Sequence, residues 1–257
     1  MFSACAARLM SLFAGVRMQL LFSTQYTAGE CLTWADGVLE STSEHSIGQV
    51  VAPILNRAAE EPEFAVEQQK WMALVSGVIS FTSAVEYFLQ DLIILCLQRN
   101  AGLRKHAFSR CQVEALELEE PGDVDAIRAR LIRSLADQNS GGPMFTSKLK
   151  KTRSFLRLKT ERINRELGGA LDDIWRLRNR LAHENHIAIG SVVIGASERK
   201  LELITRPPSA GAKAFDVDAY TAFVIGLCEL MQEAVDFLRT VDDEALAAAP
   251  ADSSVPR

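Results

Sequence analysis

The segment from Trp71 to Leu97 does most to limit how this chain can fold, because its apolar residues cover nearly the whole circumference of a helix instead of one stripe. An element of that kind has to be packed by others on most of its sides. It is long enough to be mistaken for a membrane span. Glu86, Gln90 and Asp91 in its second half, with Ser and Thr scattered before them, favour the central core helix of a helical bundle. Glu86 stands among Val75, Ile79, Leu89 and Ile93 on that helix.

Most other long segments repeat apolar residues at helical spacing. Ile47 to Glu60 reads as a short amphipathic helix, and Pro62 with its acidic neighbours marks a break before a helix over Trp71 to Arg99. The pattern is lost from Gly102 to Pro121-Gly122, and a helix then runs from Asp123 to about Asp137 through Ile127, Leu131 and Leu135. Asn139 to Pro143 is the clearest loop. Met144 to Leu167 is rich in Lys and Arg, with Phe145, Leu149, Phe155, Leu158 and Ile163 as its apolar members. Gly168-Gly169 interrupts it, and a further helix starts there. IAIGSVVIGASERKLELITR holds two β-favouring runs around a Gly-Ala-Ser turn, a small hairpin closed by Pro207-Pro208 to Gly211. The last helix, Asp218 to Thr240, carries Phe223, Leu227, Leu230, Ala234 and Phe237 on one face, and the tail from Ala247 has too little apolar content to pack.

With 257 residues the chain can bury a large core in one domain. The expected division is an N-terminal extension over 1–46, a helical domain over 47–245 and a disordered tail over 246–257. The extension reads as a weak helix or an overextended start, with Met10 or Met18 as alternative first residues. Arg8 and Arg17 break its apolar stretches, which makes it a poor signal peptide and too short to span a membrane. Cys5, Cys31, Cys96, Cys111 and Cys228 are odd in number and widely spaced, as reduced thiols of a cytoplasmic protein would be. The net charge of -5 hides bases gathered between Lys148 and Arg180 and acids gathered elsewhere, so overall acidity says little about partners.

The helix ALDDIWRLRNRLAHENH from Ala170 contains the one chemical anomaly. At about 100° per residue Leu171, Ile174, Leu181 and Ala182 share an arc, and Arg178 falls in its middle. Asn179 and His183, four apart, lie on a polar side with Asp172 and Arg176. Arg178 must therefore meet a carboxylate, backbone carbonyls, a subunit boundary or an anion. One reading is purely structural: Arg178 pairs with Glu86, and His183 is a surface histidine near a helix end.

Arg178, Asn179 directly after it and His183 five places on resemble the signature of the HEPN superfamily, small all-helical domains many of which are metal-independent ribonucleases. The RN...AH wording is closest to the RiboL-PSP-HEPN and MAE-like groups. Phe81 to Leu89 resembles the long core helix of that superfamily, where an acidic residue often faces the motif arginine. The helix after Phe215-Asp216-Val217-Asp218 resembles the one that follows the motif. The likeness covers about Ile47 to Thr240, and RNxxxH is its specific part. It implies an all-α, HEPN-type helical bundle with a small β-hairpin insertion after the motif helix. It further implies a homodimer whose two motif helices form one cleft, in a toxin-antitoxin or antiviral defence setting with a cognate antitoxin or inhibitor protein as a further partner. In toxins paired with a nucleotidyltransferase antitoxin a tyrosine stands two places after the histidine; Asn185 stands here, which argues against that pairing.

RNA carries its own nucleophile, the ribose 2′-OH, so cleavage without metal or other cofactor needs a base, an acid and a cation for the phosphate. His183 suits the proton roles because an unperturbed imidazole titrates near pH ~6.5. Arg178 suits the phosphate, Asn179 would orient either, and Glu86 would hold the arginine. Lys148, Lys150, Lys151, Arg153 and Arg157, with Arg176 and Arg180 on the motif helix, are the candidate RNA-binding cations. His186 reads as a turn residue, and His45 and His106 have no supporting neighbours. The rival readings are a non-catalytic HEPN module that binds RNA or a partner protein, and a helical scaffold with an accidental motif.

Overall fold

The structure is a computed structural model that describes residues 3–27, 29, 60–109, 124–159, 163–183, 190–196, 199–205 and 215–248. It is mostly helical, with one small two-stranded antiparallel sheet. The expected helix at 47–59, the segment at 207–211, and the tail beyond residue 248 lie outside the described residues.

The centre is α2 (Pro62–Arg99), 38 residues long. Leu74, Val78, Phe81, Val85, Leu89, Leu92, Ile93 and Leu97 on it are fully buried, which follows from an apolar circumference that one neighbour could not cover. Pro62 starts this helix instead of breaking the chain before it. At a first helical position the missing N–H is one that would have no intrahelical acceptor anyway.

The first helix, α1 (Ala4–Gln25), is 22 residues and belongs to the same core. It buries Cys5, Ala6, Leu9, Phe13, Val16 and Leu20 against α2 and the last helix, and the Phe13 ring meets Phe81 edge-on at 6.2 Å. Ser3 caps it by accepting the Ala6 N–H at 3.1 Å, and donates from its own N–H (3.2 Å) and hydroxyl (2.5 Å) to the fully buried Asp242 carboxylate. Residues 3–25, read from the sequence as a weak helix or an overextended start, thus share one core with the helices that follow. By length and composition α1 and α2 could each cross a membrane, contrary to the expectation that the first segment is too short; most of the apolar window of α2 is buried in the protein.

Two stretches differ locally from the sequence reading. Residues Ala101–Phe108, where periodicity fails, form the short helix α3, capped by Asn100 accepting the Leu103 N–H at 2.9 Å. Its one buried residue, Ala107, is too little pattern to detect. Helix α4 (Val124–Ser140) buries Ile132, Leu135 and Ala136 and runs into the stretch read as a loop. Helix α5 (Phe145–Leu156) follows, and Arg157 ends it in the left-handed conformation (φ 58, ψ 36).

Helix α6 (Arg165–His183) passes straight through Gly168-Gly169, which was expected to separate two elements. A Cβ on Gly168 would stand 3.2 Å from Thr146 Cγ2, so that glycine lets α6 approach α5 closely. The expected hairpin forms from β1 (Gly190–Ile194) and β2 (Leu201–Thr205), with Gly190 opposite Thr205 and Ile194 opposite Leu201. Val192, Ile194 and Leu203 face inward, and Gly195 takes φ +75 at the turn. Helix α7 (Val217–Ala248) outlasts its expected end at Thr240 because Val241, Asp242 and Ala245 are buried as well.

Candidate functional site

Helix α6 turns Leu167, Ala170, Leu171, Ile174, Trp175, Leu177 and Leu181 into the core. Arg178 sits on the same arc with its side chain 32% exposed. Ala182, expected on that buried arc, is exposed, so the Arg178–Ala182 edge of the arc leaves the core while Leu177 and Leu181 remain in it.

Arg178 faces Glu86 on α2, with Nη2 at 4.0 Å from Oε2. It does not hold that carboxylate alone. Lys148 of α5 reaches Glu86 Oε1 at 3.2 Å with only 12% of its side chain exposed, and the buried Trp175 indole donates to the same oxygen at 3.3 Å. Arg178 Nη1 also donates to the exposed Asn179 Oδ1 at 3.3 Å. Two cations share one half-buried carboxylate, and the arginine is the looser of the two. Lys148 in this role and Trp175 as a donor were not read from the sequence. The signal for Trp175 was present, since an indole on a buried arc needs an acceptor.

Helix α5 is placed against α6 by Asp172, which accepts the Thr146 N–H at 2.9 Å and the Thr146 hydroxyl at 2.7 Å. A carboxylate at the first turn also complements the helix dipole. The Phe145 ring rests 5.4 Å from Trp175. Asp172 is therefore used in fixing Lys148 near Glu86 and does not share a ligand face with Asn179. Asp173 accepts from Gly195 N–H at 3.1 Å and from Arg176, tying the hairpin turn to the outer side of α6.

The candidate RNA-binding cations do not form one surface. Lys148 belongs to the Glu86 cluster, Arg153 is half-buried, and Arg176 and Arg180 are exposed on α6. Lys150, Lys151 and Arg157 line a groove of ≈ 1030 Å³ between α3, α4 and α5. His183 is the last residue of α6, five positions beyond Arg178; its side chain, like His186, lies outside the described residues.

Among the described residues no group of three or more His, Cys, Asp and Glu is arranged to hold a metal ion. Cys5, Cys96 and Cys228 are free and buried. Burial pushes the Cys96 thiol up to about 12 and the Cys228 thiol up to about 11, so neither is a nucleophilic thiolate near neutrality. No family model, curated protein or solved structure matches this chain.

Proposed function

We propose that the protein is a metal-independent endoribonuclease of HEPN type, with Arg178, Asn179 and His183 at a cleft completed by a second copy of the chain. The observation that carries this reading is the shared carboxylate. Lys148 and Arg178 together outnumber Glu86 in charge, so the cluster is positive, and the loosely held guanidinium keeps donors for a phosphate. Arg178 would bind the scissile phosphate and stabilise the charge that builds on it. Lys148 would add a fixed positive field from α5, Asn179 would orient the phosphate or the histidine, and His183 would exchange protons with the 2′-OH or the leaving 5′-oxygen. One chain supplies one motif histidine, whereas acid and base roles are more easily filled by two. A twofold contact between α6 helices supplies the second. The setting that accompanies this reading is cytoplasmic, in toxin-antitoxin or antiviral defence, with a cognate inhibitor protein as partner.

A second reading is favoured by the Arg178–Glu86 pair itself: the motif arginine serves the fold, and the domain binds RNA or a protein without cutting. The experiment is incubation of the purified protein with a broad RNA panel in EDTA, beside Arg178→Ala and His183→Ala. Cleavage leaving 2′,3′-cyclic phosphate ends, lost in both variants and absent on DNA, is the expected result. Silence of the wild type across the panel favours the binding module. Undiminished cleavage by His183→Ala removes the mechanism.

A further inference from the structure

We infer that the groove between α3, α4 and α5 is a binding site for a single-stranded RNA segment, apart from the Glu86–Arg178 cluster. The inference rests on RNA being the ligand of this protein, as in the reading above, and adds where the strand lies. Lys150, Lys151 and Arg157 supply three cations to the lining, and no carboxylate among the described residues lines it. Gln138 adds an amide that both donates and accepts, Asn139 adds its side-chain oxygen while its Nδ2 donates to the Leu135 carbonyl at 2.8 Å, and Phe155 adds an aromatic surface. A volume of ≈ 1030 Å³ is far more than one inorganic anion fills. Cations along a groove with an aromatic wall and scattered amides match the phosphates, base faces and base edges of a single strand.

Arg157 gives an independent argument. It is the only residue other than glycine with a positive φ among the described residues, at the position closing α5 where glycine is ordinarily favoured. Its N–H donates to the Arg153 and Ser154 carbonyls, and Leu158 N–H returns to Arg153 at 3.0 Å, so the geometry is the usual left-handed helix stop with the wrong residue for comfort. What an arginine brings there and a glycine does not is a guanidinium at the lip of the groove.

That strain makes a discriminating variant available. Arg157→Gly relaxes the backbone and removes the cation, so it is expected to melt about 2–4 °C higher than wild type while binding RNA more weakly. Binding is read by fluorescence anisotropy with a 2′-O-methyl single-stranded oligoribonucleotide, which cannot be cleaved by 2′-OH attack, across a series of salt concentrations. Lys150→Ala/Lys151→Ala is expected to lose at least about tenfold in affinity and to flatten the log-log salt dependence by about 1 to 2. Arg157→Gly binding as tightly as wild type overturns the assignment. So does displacement of the RNA by polyglutamate as effectively as by unlabelled RNA of equal charge. Because the probe is uncleavable, the two readings separate. Cleavage by wild type with undiminished binding in the groove variants removes the groove alone, and weakened binding in those variants with no cleavage by wild type removes the nuclease alone.

Discussion

Glu86→Gln tests the geometry of the candidate site most directly, because the substitution keeps shape and removes the charge that two cations share. The carboxylate is ion-paired to Lys148 at 3.2 Å, accepts a hydrogen bond from Trp175 at 3.3 Å, and lies 4.0 Å from Arg178. Losing an ion pair costs about 0–1 kcal/mol at an exposed site and about 3–5 kcal/mol at a buried one, and the Lys148 pair, with 12% of the lysine and 31% of the carboxylate exposed, falls between. The Arg178 pair is a third exposed and beyond hydrogen-bonding distance, so it contributes about 0–1 kcal/mol. The amide oxygen of glutamine still accepts from the indole. The net expected loss is about 2 kcal/mol, or a melting point lower by about 4–8 °C, read by urea and thermal unfolding with far-UV circular dichroism. A double-mutant cycle then apportions it: Glu86→Gln with Lys148→Met should couple by about 1–2 kcal/mol, and Glu86→Gln with Arg178→Met by less than about 1 kcal/mol. Coupling to Arg178 equal to or above that to Lys148 would overturn this ranking, as would a Glu86→Gln protein within about 0.5 kcal/mol of wild type. The ranking matters for function: if Arg178 contributes little to stability, the loss of cleavage in Arg178→Ala reports on chemistry and not on folding.

Glycine substitutions on two helices should change stability in opposite directions. A Cβ on Gly77 would stand 2.7 Å from Cδ2 and 2.8 Å from Cγ of the fully buried Leu20, so Gly77→Ala should lose about 1–2 kcal/mol despite the better helix former. Gly169 has nothing within 4 Å of such a Cβ, and Gly169→Ala should gain up to about 1 kcal/mol; chemical denaturation of both variants gives the signs. High pH should unfold the protein through its buried acids. The folded state holds Cys96 neutral to about 12 and Cys228 to about 11 against an ordinary thiol value of 9.0, and Tyr220 to about 12 against 10.0, in each case first because burial disfavours the charged form. Folded values above unfolded ones mean that this stability is complete below pH 9.0 and is lost as pH climbs toward 12, which stability measurements over that window will register. The same burial predicts that pulsed alkylation near pH 8, mapped by mass spectrometry, leaves Cys96 and Cys228 unlabelled in the native protein and labels them in urea.

Much of the fold was legible because it rests on local periodicity. The all-round apolar run made α2 central, the β-branched runs about Gly195 made the hairpin, and both stand in the structure. The differences arise where local signs have two meanings. Pro62 and Gly168 were read as breaks, yet proline is favoured in a first turn and glycine permits close packing, and only the neighbouring chain decides between these uses. Likewise α1 looked weak because its worth depends on surfaces distant in sequence: the pocket that takes Leu20 is built by Gly77, and the carboxylate that ties Ser3 belongs to Asp242.

The candidate site divides along the same line. Spacing along the chain was enough to place Arg178 on an apolar arc and to make Glu86 one of its candidate partners, since helical angle and the cost of an unpaired buried charge are both readable from it. The tertiary structure alone decided that Lys148 takes the closer share of that carboxylate, that Asp172 fixes the helix carrying Lys148, and that the basic run divides between the cluster and the groove. The physical reason is that a charge run specifies how many cations a helix carries, while the faces they occupy are fixed by which side of that helix the core claims.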